Sequence, residues 1–171
     1  MITEFWDEEN GGFFFTSNDH EELIVRNKDF YDNATPSGNS VAADVLLRLA
    51  KLTGEDKYER FAVTVLRLTA TQLKRYPQGF GRALSALEFY LSKTKEIVVI
   101  GPDGNELASD VLSRYLPDAV VVLSSDAEAD KGAIPLLEGR TVEAGIPTAY
   151  VCEDFVCQRP VTSIKELNEL I

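Results

Sequence analysis

Apolar positions along the chain change rhythm near its middle. From Val41 to Leu49 they recur at helical spacing, with Val41, Val45 and Leu49 flanked by Ala42 and Leu46. Such a stripe predicts an amphipathic helix. Ser37 or Asn39 is placed to cap its start, and Gly54 its end. A second stripe, Tyr58, Phe61, Ala62, Val65, Leu68 and Leu73, predicts a helix over about 56–76 that Pro77 stops. A third helix, about 80–91, presents Ala83, Leu84, Leu87 and Leu91. Connections this short make the three helices neighbours packed antiparallel.

Beyond a boundary near Thr94 the pattern becomes α/β. Ile97–Ile100 is an uninterrupted apolar run ending at Gly101, and Ala119–Leu123 is another. A helical stretch from about Asn105 to Tyr115 lies between them. Continuous Val-rich strands separated by a helix predict a small parallel sheet covered on both faces. Thr148–Cys152 reads as a third strand, residues 131–138 as a short helix broken at Pro135, and Ser163 as the cap of a last helix running to Ile171. The expected organisation is therefore α/β in class. Residues 1–94 hold a loop, a short strand and three helices, and 95–171 a subdomain with about three parallel strands.

The first 39 residues show neither period. They are rich in aromatics (Trp6, Phe13, Phe14, Phe15, Phe30, Tyr31) interleaved with acids and turn residues. Asn10-Gly11-Gly12 before three Phe reads as a turn feeding a short strand. Long loops of this kind either pack their aromatics beneath themselves or carry sites, and composition leaves both readings open.

Composition narrows the classes. The 171 residues are 44% hydrophobic and 26% charged, as in an ordinary globular protein, and the net charge is −11. Binding to nucleic acid relies on Lys and Arg neutralising phosphates, so no nucleic-acid partner is expected. No apolar run approaches the roughly 20 residues of a membrane span. Met1–Asn10 lacks the basic-then-apolar pattern of a signal peptide, so a cytoplasmic location and no membrane partner are expected.

Candidate chemistry is sparse. Two cysteines and one histidine cannot supply a four-ligand zinc site, so no metal is expected. Cys152 and Cys157 are spaced more widely than a Cys-x-x-Cys redox pair, and the intervening Glu153 and Asp154 raise a thiol pKa. They read as a buried cysteine and a packing cysteine. Gly101-Pro102-Asp103-Gly104 sits where nucleotide folds bind phosphate but lacks the third glycine and carries an acid, so it reads as a plain turn with no cofactor. Asn33-Ala34-Thr35 matches a glycosylation acceptor by chance, with Pro36 following. His20 lies in a polar run without a nucleophile beside it. Asp7, Glu8, Asp29 and Asp32, near aromatic platforms, have the residue types of a sugar-processing carboxylate pair. They equally suit solvated loop acids.

Four stretches carry a resemblance. They are residues 5–14 (FWDEENGGFF), 23–29 (LIVRNKD), 31–40 (YDNATPSGNS) and 152–157 (CEDFVC). In order and spacing they resemble the C-terminal end of the spermatogenesis-associated, thioredoxin-domain-containing proteins, called YyaL-type in bacteria. The family commonly has Pro where this chain has Asn27. The resemblance implies a longer protein with an N-terminal thioredoxin-like domain and an (α/α)6 toroid similar to sugar epimerases and six-hairpin glycosidases. Residues 1–94 would then be the last part of that toroid, in a chain without the thioredoxin-like domain and inactive alone.

In such toroids the loops between paired helices line the ligand cleft, which by analogy places residues 7–12 and 26–39 there. The implied ligand is a carbohydrate-like small molecule. Asp7, Glu8, Arg26, Lys28, Asp32, Asn33 and Asn39 are its expected hydrogen-bonding groups, and Trp6 and Tyr31 its stacking platforms. Helices spanning residues 40–92, lacking the rest of a ring, are expected to self-associate. The competing reading makes this region a scaffold or client-binding surface of a thiol-redox or folding factor.

Overall fold

The computed structural model describes residues 1–21 and 25–171, so Leu23 and Ile24 of the second resembling stretch lie outside it. One helical turn, α1 (Ile2–Phe5), leads into a reversal over Asp7–Gly12. Gly11 and Gly12 make that reversal with φ of 71° and 80°, a region that favours glycine. A Cβ on Gly11 would also stand 2.7 Å from the Thr64 side chain. The short strand expected after this turn reduces to one antiparallel bridge, Trp6 to Phe13.

Helix α2 (Gly38–Thr53) is capped by Ser37, whose Oγ accepts the Ser40 N–H at 3.1 Å. Asn39 therefore lies inside the first turn, free for another task. Helix α3 (Asp56–Arg75) buries Ala62, Val65, Leu66, Thr69 and Leu73. Leu68 of the expected stripe stays exposed at the edge of a cleft. A 3-10 turn, Pro77–Gly79, connects to α4 (Gly81–Leu91), which buries Ala83, Ala86 and Phe89, while Leu91 remains 72% exposed. Asp44 of α2 is buried and neutralised by Arg82 at 2.5 Å and Arg48 at 3.3 Å. These elements belong to the first of two units, Met1–Ala50 with Glu55–Leu91.

The second unit comprises Lys51–Gly54 and Ser92–Ile171. Its elements are β1 (Lys95–Ile100), α5 (Glu106–Ser113), β2 (Ala119–Ser124), α6 (Ala127–Asp130), β3 (Thr148–Glu153), β4 (Val156–Cys157) and α7 (Ile164–Leu167). Among the described residues the strands form one sheet in the order β2-β1-β3-β4. β1 and β2 are parallel, with α5 as crossover, but β3 runs antiparallel to β1 and β4 antiparallel to β3. The expected parallel sheet is thus a mixed one. Between β2 and β3 the chain makes only the single turn of α6 and the 3-10 turn Pro135–Leu137, not a full helical crossover. The last helix likewise ends at Leu167 instead of reaching Ile171, although Ser163 caps it as expected.

Both faces of this sheet are covered, which explains the continuous apolar runs. Ile97, Val99, Ala149 and Val151 pack against Leu107, Val111 and Leu167. Val98, Ile100 and Val122 pack on the other face against Ala127, Leu136 and Leu137. The Gly101–Gly104 turn serves as a strand-to-helix connection, closed by Asn105, whose side chain accepts the Ala108 N–H at 3.0 Å.

Candidate functional site

The nine expected ligand-binding residues all lie in the first unit, and most of their polar atoms are engaged within the protein. Asp7 closes the turn that follows it, accepting the N–H groups of Glu9 at 2.9 Å and Asn10 at 3.1 Å. The Lys28 ammonium sits 2.5 Å from its carboxylate and also donates to the Gly11 carbonyl at 2.6 Å. That ammonium first, then the Asn10 amide, holds the Asp7 carboxyl well below the usual carboxylate range. Glu8 is exposed beside it. Trp6 packs edge-on against Phe13 and Phe61, at centroid distances of 5.0 and 4.6 Å, and so acts as a wall of the core.

Arg26 ties the N-terminal segment together. Its guanidinium donates to Asn18 Oδ1 and to the carbonyls of Thr16 and Glu4, and lies 4.1 Å over the Phe14 ring. Asn39, 2% exposed, behaves as a strand neighbour made of one side chain. Its Oδ1 accepts the Phe13 N–H at 2.7 Å, while its Nδ2 donates to the carbonyls of Phe13 and Asp29 at 2.9 and 2.8 Å. Asp32 joins two helix starts: it accepts Ser37 N–H at 2.8 Å and, fifty residues on, the first-turn amides Arg82 and Ala83 of α4. Asn33 is exposed in the loop between.

Two of the nine, Lys28 and Tyr31, come together in a cleft of about 410 Å³. Its other lining includes Asn10, Asp29, Phe30, Gln72 and Phe80. Tyr31 is 45% exposed, and its ring leans on the buried Phe80 ring at 4.7 Å. Gly79 lets it lie there, because a Cβ at that position would stand 3.1 Å from the Tyr31 ring. Asn10 lies in the 7–12 segment expected at the cleft, whereas Gln72 and Phe80 were missed by sequence reasoning. Gln72 and Phe80 belong to or border helices read as structural, and no local signal distinguishes them.

The second unit holds a group that the sequence reading took apart. Cys152 and Cys157 are joined by a disulfide across the β3–β4 pair. A two-residue turn, Asp154–Phe155, makes positions 152 and 157 direct neighbours, although neither turn residue is the glycine or asparagine that would signal it. Arg140, distant in sequence, donates to both sulfurs, at 2.8 Å to Cys157 and 3.4 Å to Cys152. Glu96 of β1 is paired with Cys152 in register and fully buried.

No family model matches the chain. Over 98% of its length it is similar to spermatogenesis-associated protein 20 of Homo sapiens, at 33% identity, and of Rattus norvegicus, at 32%. It is also 29% identical to the Caenorhabditis elegans protein named uncharacterized protein B0495.5. The chain spans about a fifth of these relatives, 22% of the human protein and 23% of the nematode one. No described helix is long and apolar enough to cross a membrane.

Proposed function

We propose that this chain acts as part of a longer, thioredoxin-domain-containing protein, with its first unit contributing one wall of a cleft for a carbohydrate-like small molecule. The observation that carries this reading is the cleft lined by Lys28, Asp29, Tyr31 and Gln72. A half-exposed aromatic face beside a side-chain amide, a cation and a carboxylate suits a ligand with an apolar ring face and hydroxyls at its edge. Asp7 and Asn10 support the cleft by holding Lys28 and the turn in place. Arg26, Asp32 and Asn39 act one layer behind, fixing the loops that carry Tyr31 and Lys28. The similarity to relatives several times longer supports the view that the remaining wall comes from elsewhere in a longer chain. In this reading that chain forms a helical toroid in the cytoplasm.

The test is NMR titration of the chain with a panel of mono- and oligosaccharides at millimolar concentration. At least one sugar is expected to shift the Gln72 side-chain amide and the Tyr31 ring, and Tyr31→Ala is expected to abolish those shifts without unfolding the unit. No shift with any sugar, or shifts confined to residues outside the cleft, overturns the reading.

A further inference from the structure

A second constellation, in the other unit, has the components of a different chemistry. Glu96, Cys152 and Cys157 are opposite one another in consecutive pairs across β1, β3 and β4. Directly opposed residues project to the same face of a sheet, so the three side chains form one row. Cys152, at 1% exposure, is the inner sulfur, and Cys157 is half-buried at the outer end. The Arg140 guanidinium reaches both sulfurs, and it is anchored by donating to the Leu136 carbonyl. Its Nε is buried without a hydrogen-bond partner, as is Oε1 of Glu96. Orphaned buried polar atoms on both sides of a disulfide are costly for a purely structural cross-link.

The hairpin that carries the disulfide is held in an unusual backbone state. Asp154 and Phe155 both adopt the left-handed region, with φ of 49° and 64°, where non-glycine residues are rare. Contacts keep them there: Phe155 N–H donates to Glu96 Oε2 at 2.8 Å, and Asp154 pairs with Lys51 at 2.5 Å. The Phe155 ring also closes on Gly54 at 3.3 Å from where a Cβ would be. The hairpin therefore keeps its shape through contacts independent of the S–S bond.

We propose that Cys152 and Cys157 are a reversible dithiol–disulfide exchange site, with an alkyl thiol as its reaction partner. An incoming thiolate attacks the more accessible Cys157 Sγ. The S–S bond breaks, its electron pair passes to Cys152 Sγ, and a mixed disulfide forms on Cys157. Arg140 stabilises the departing Cys152 thiolate, which then takes up a proton from water. A second thiolate of the partner then attacks its own sulfur in the mixed disulfide, releasing Cys157 as a thiolate. The Cys157 thiolate takes up a proton from water in turn, so two partner thiolates are oxidised to one disulfide and the protein disulfide is reduced to two thiols. Burial pushes the Glu96 carboxyl up and the Arg140 guanidinium down.

The experiment equilibrates the chain, under native conditions, with glutathione redox buffers in one arm and with reduced thioredoxin in another. Thiols are counted by maleimide labelling and mass spectrometry, with circular dichroism as the fold readout. Two thiols are expected to appear and disappear together while the fold is retained. Reduction in the first arm identifies a small thiol as partner, reduction only in the second a protein dithiol, and reduction in neither overturns the proposal. Thiol formation only on unfolding also overturns it. Cys152→Ser is expected to accumulate a glutathione adduct on Cys157, and Cys157→Ser to accumulate little; equal adducts overturn the assigned order of attack. Loss of the charge-assisted bonds in Arg140→Met is expected to slow reduction about tenfold or more, with Arg140→Lys intermediate. Rates unchanged in both folded variants remove Arg140 from the chemistry.

Discussion

Asp7 shows how much a single loop carboxylate can organise. It is bound to the amides of its own turn and to Lys28, and Lys28 in turn lines the cleft. Its folded-state pKa lies below the unfolded value of 3.8. The stability it contributes is therefore fully present above about pH 4 and is lost as pH falls further towards the folded value. Trp6, the one tryptophan of the chain, adjoins it and reports on the first unit. Urea titrations followed by Trp6 fluorescence are expected to show the midpoint falling below about pH 4 more steeply in the wild type than in Asp7→Asn. Identical acid slopes would remove Asp7 from this linkage. Cys152 and Cys157 make the complementary point, since the neighbours that set their chemistry are not their neighbours in sequence.

Among elements, α4 depends on a residue outside itself. Its first-turn amides at Arg82 and Ala83 are accepted by Asp32, which also accepts Ser37 N–H at the start of α2. Asp32 so performs for α4 the task that a serine performs locally for α2. Asp32→Ala is expected to cost about 1–3 kcal/mol, from a lost cap and unsatisfied amides, with Asp32→Asn losing less because its oxygen still accepts. Denaturation monitored through Trp6 checks this, and an unchanged midpoint in Asp32→Ala would show that water replaces the carboxylate at no cost. The β3–β4 hairpin shows the same dependence in the other unit, its left-handed turn residues being held by Glu96 and Lys51.

For the whole molecule, the open question is what covers the helical surface of the first unit. A groove on α3 and α4 has the buried Leu66 and Leu73 at its base, Val63, Leu87 and the exposed Tyr90 along it and Arg67 and Lys74 in its lining, and Leu91, next to Tyr90, is 72% exposed. Exposed apolar surface of this kind marks an interface. We propose that in the isolated chain, without the rest of the longer protein, a second copy covers it through a two-fold contact. Sedimentation velocity at micromolar concentration is expected to show a dimer, and Tyr90→Lys to shift it to monomer. A monomeric wild type would overturn this.

The three long helices and the β1–α5–β2 unit were legible in the sequence because each depends on local periodicity and punctuation. Apolar residues at helical spacing, Gly54, Pro77, Asn105 and Ser163 act within a few residues of themselves. The direction of β3, the disulfide and the composition of the cleft were not legible in the same way. Chain direction in a sheet depends on how a connection is routed, and the turn that aligns Cys152 with Cys157 uses two non-glycine residues in left-handed backbone. Among polar side chains, sequence supplied the residue types at the site but not their assignment. Asn39, Asp32 and Arg26 had the chemistry of ligand groups, and only the tertiary structure showed that backbone amides and carbonyls far along the chain take up their hydrogen bonds. A buried polar group must find a partner wherever the fold brings one, and that partner has no fixed separation in sequence.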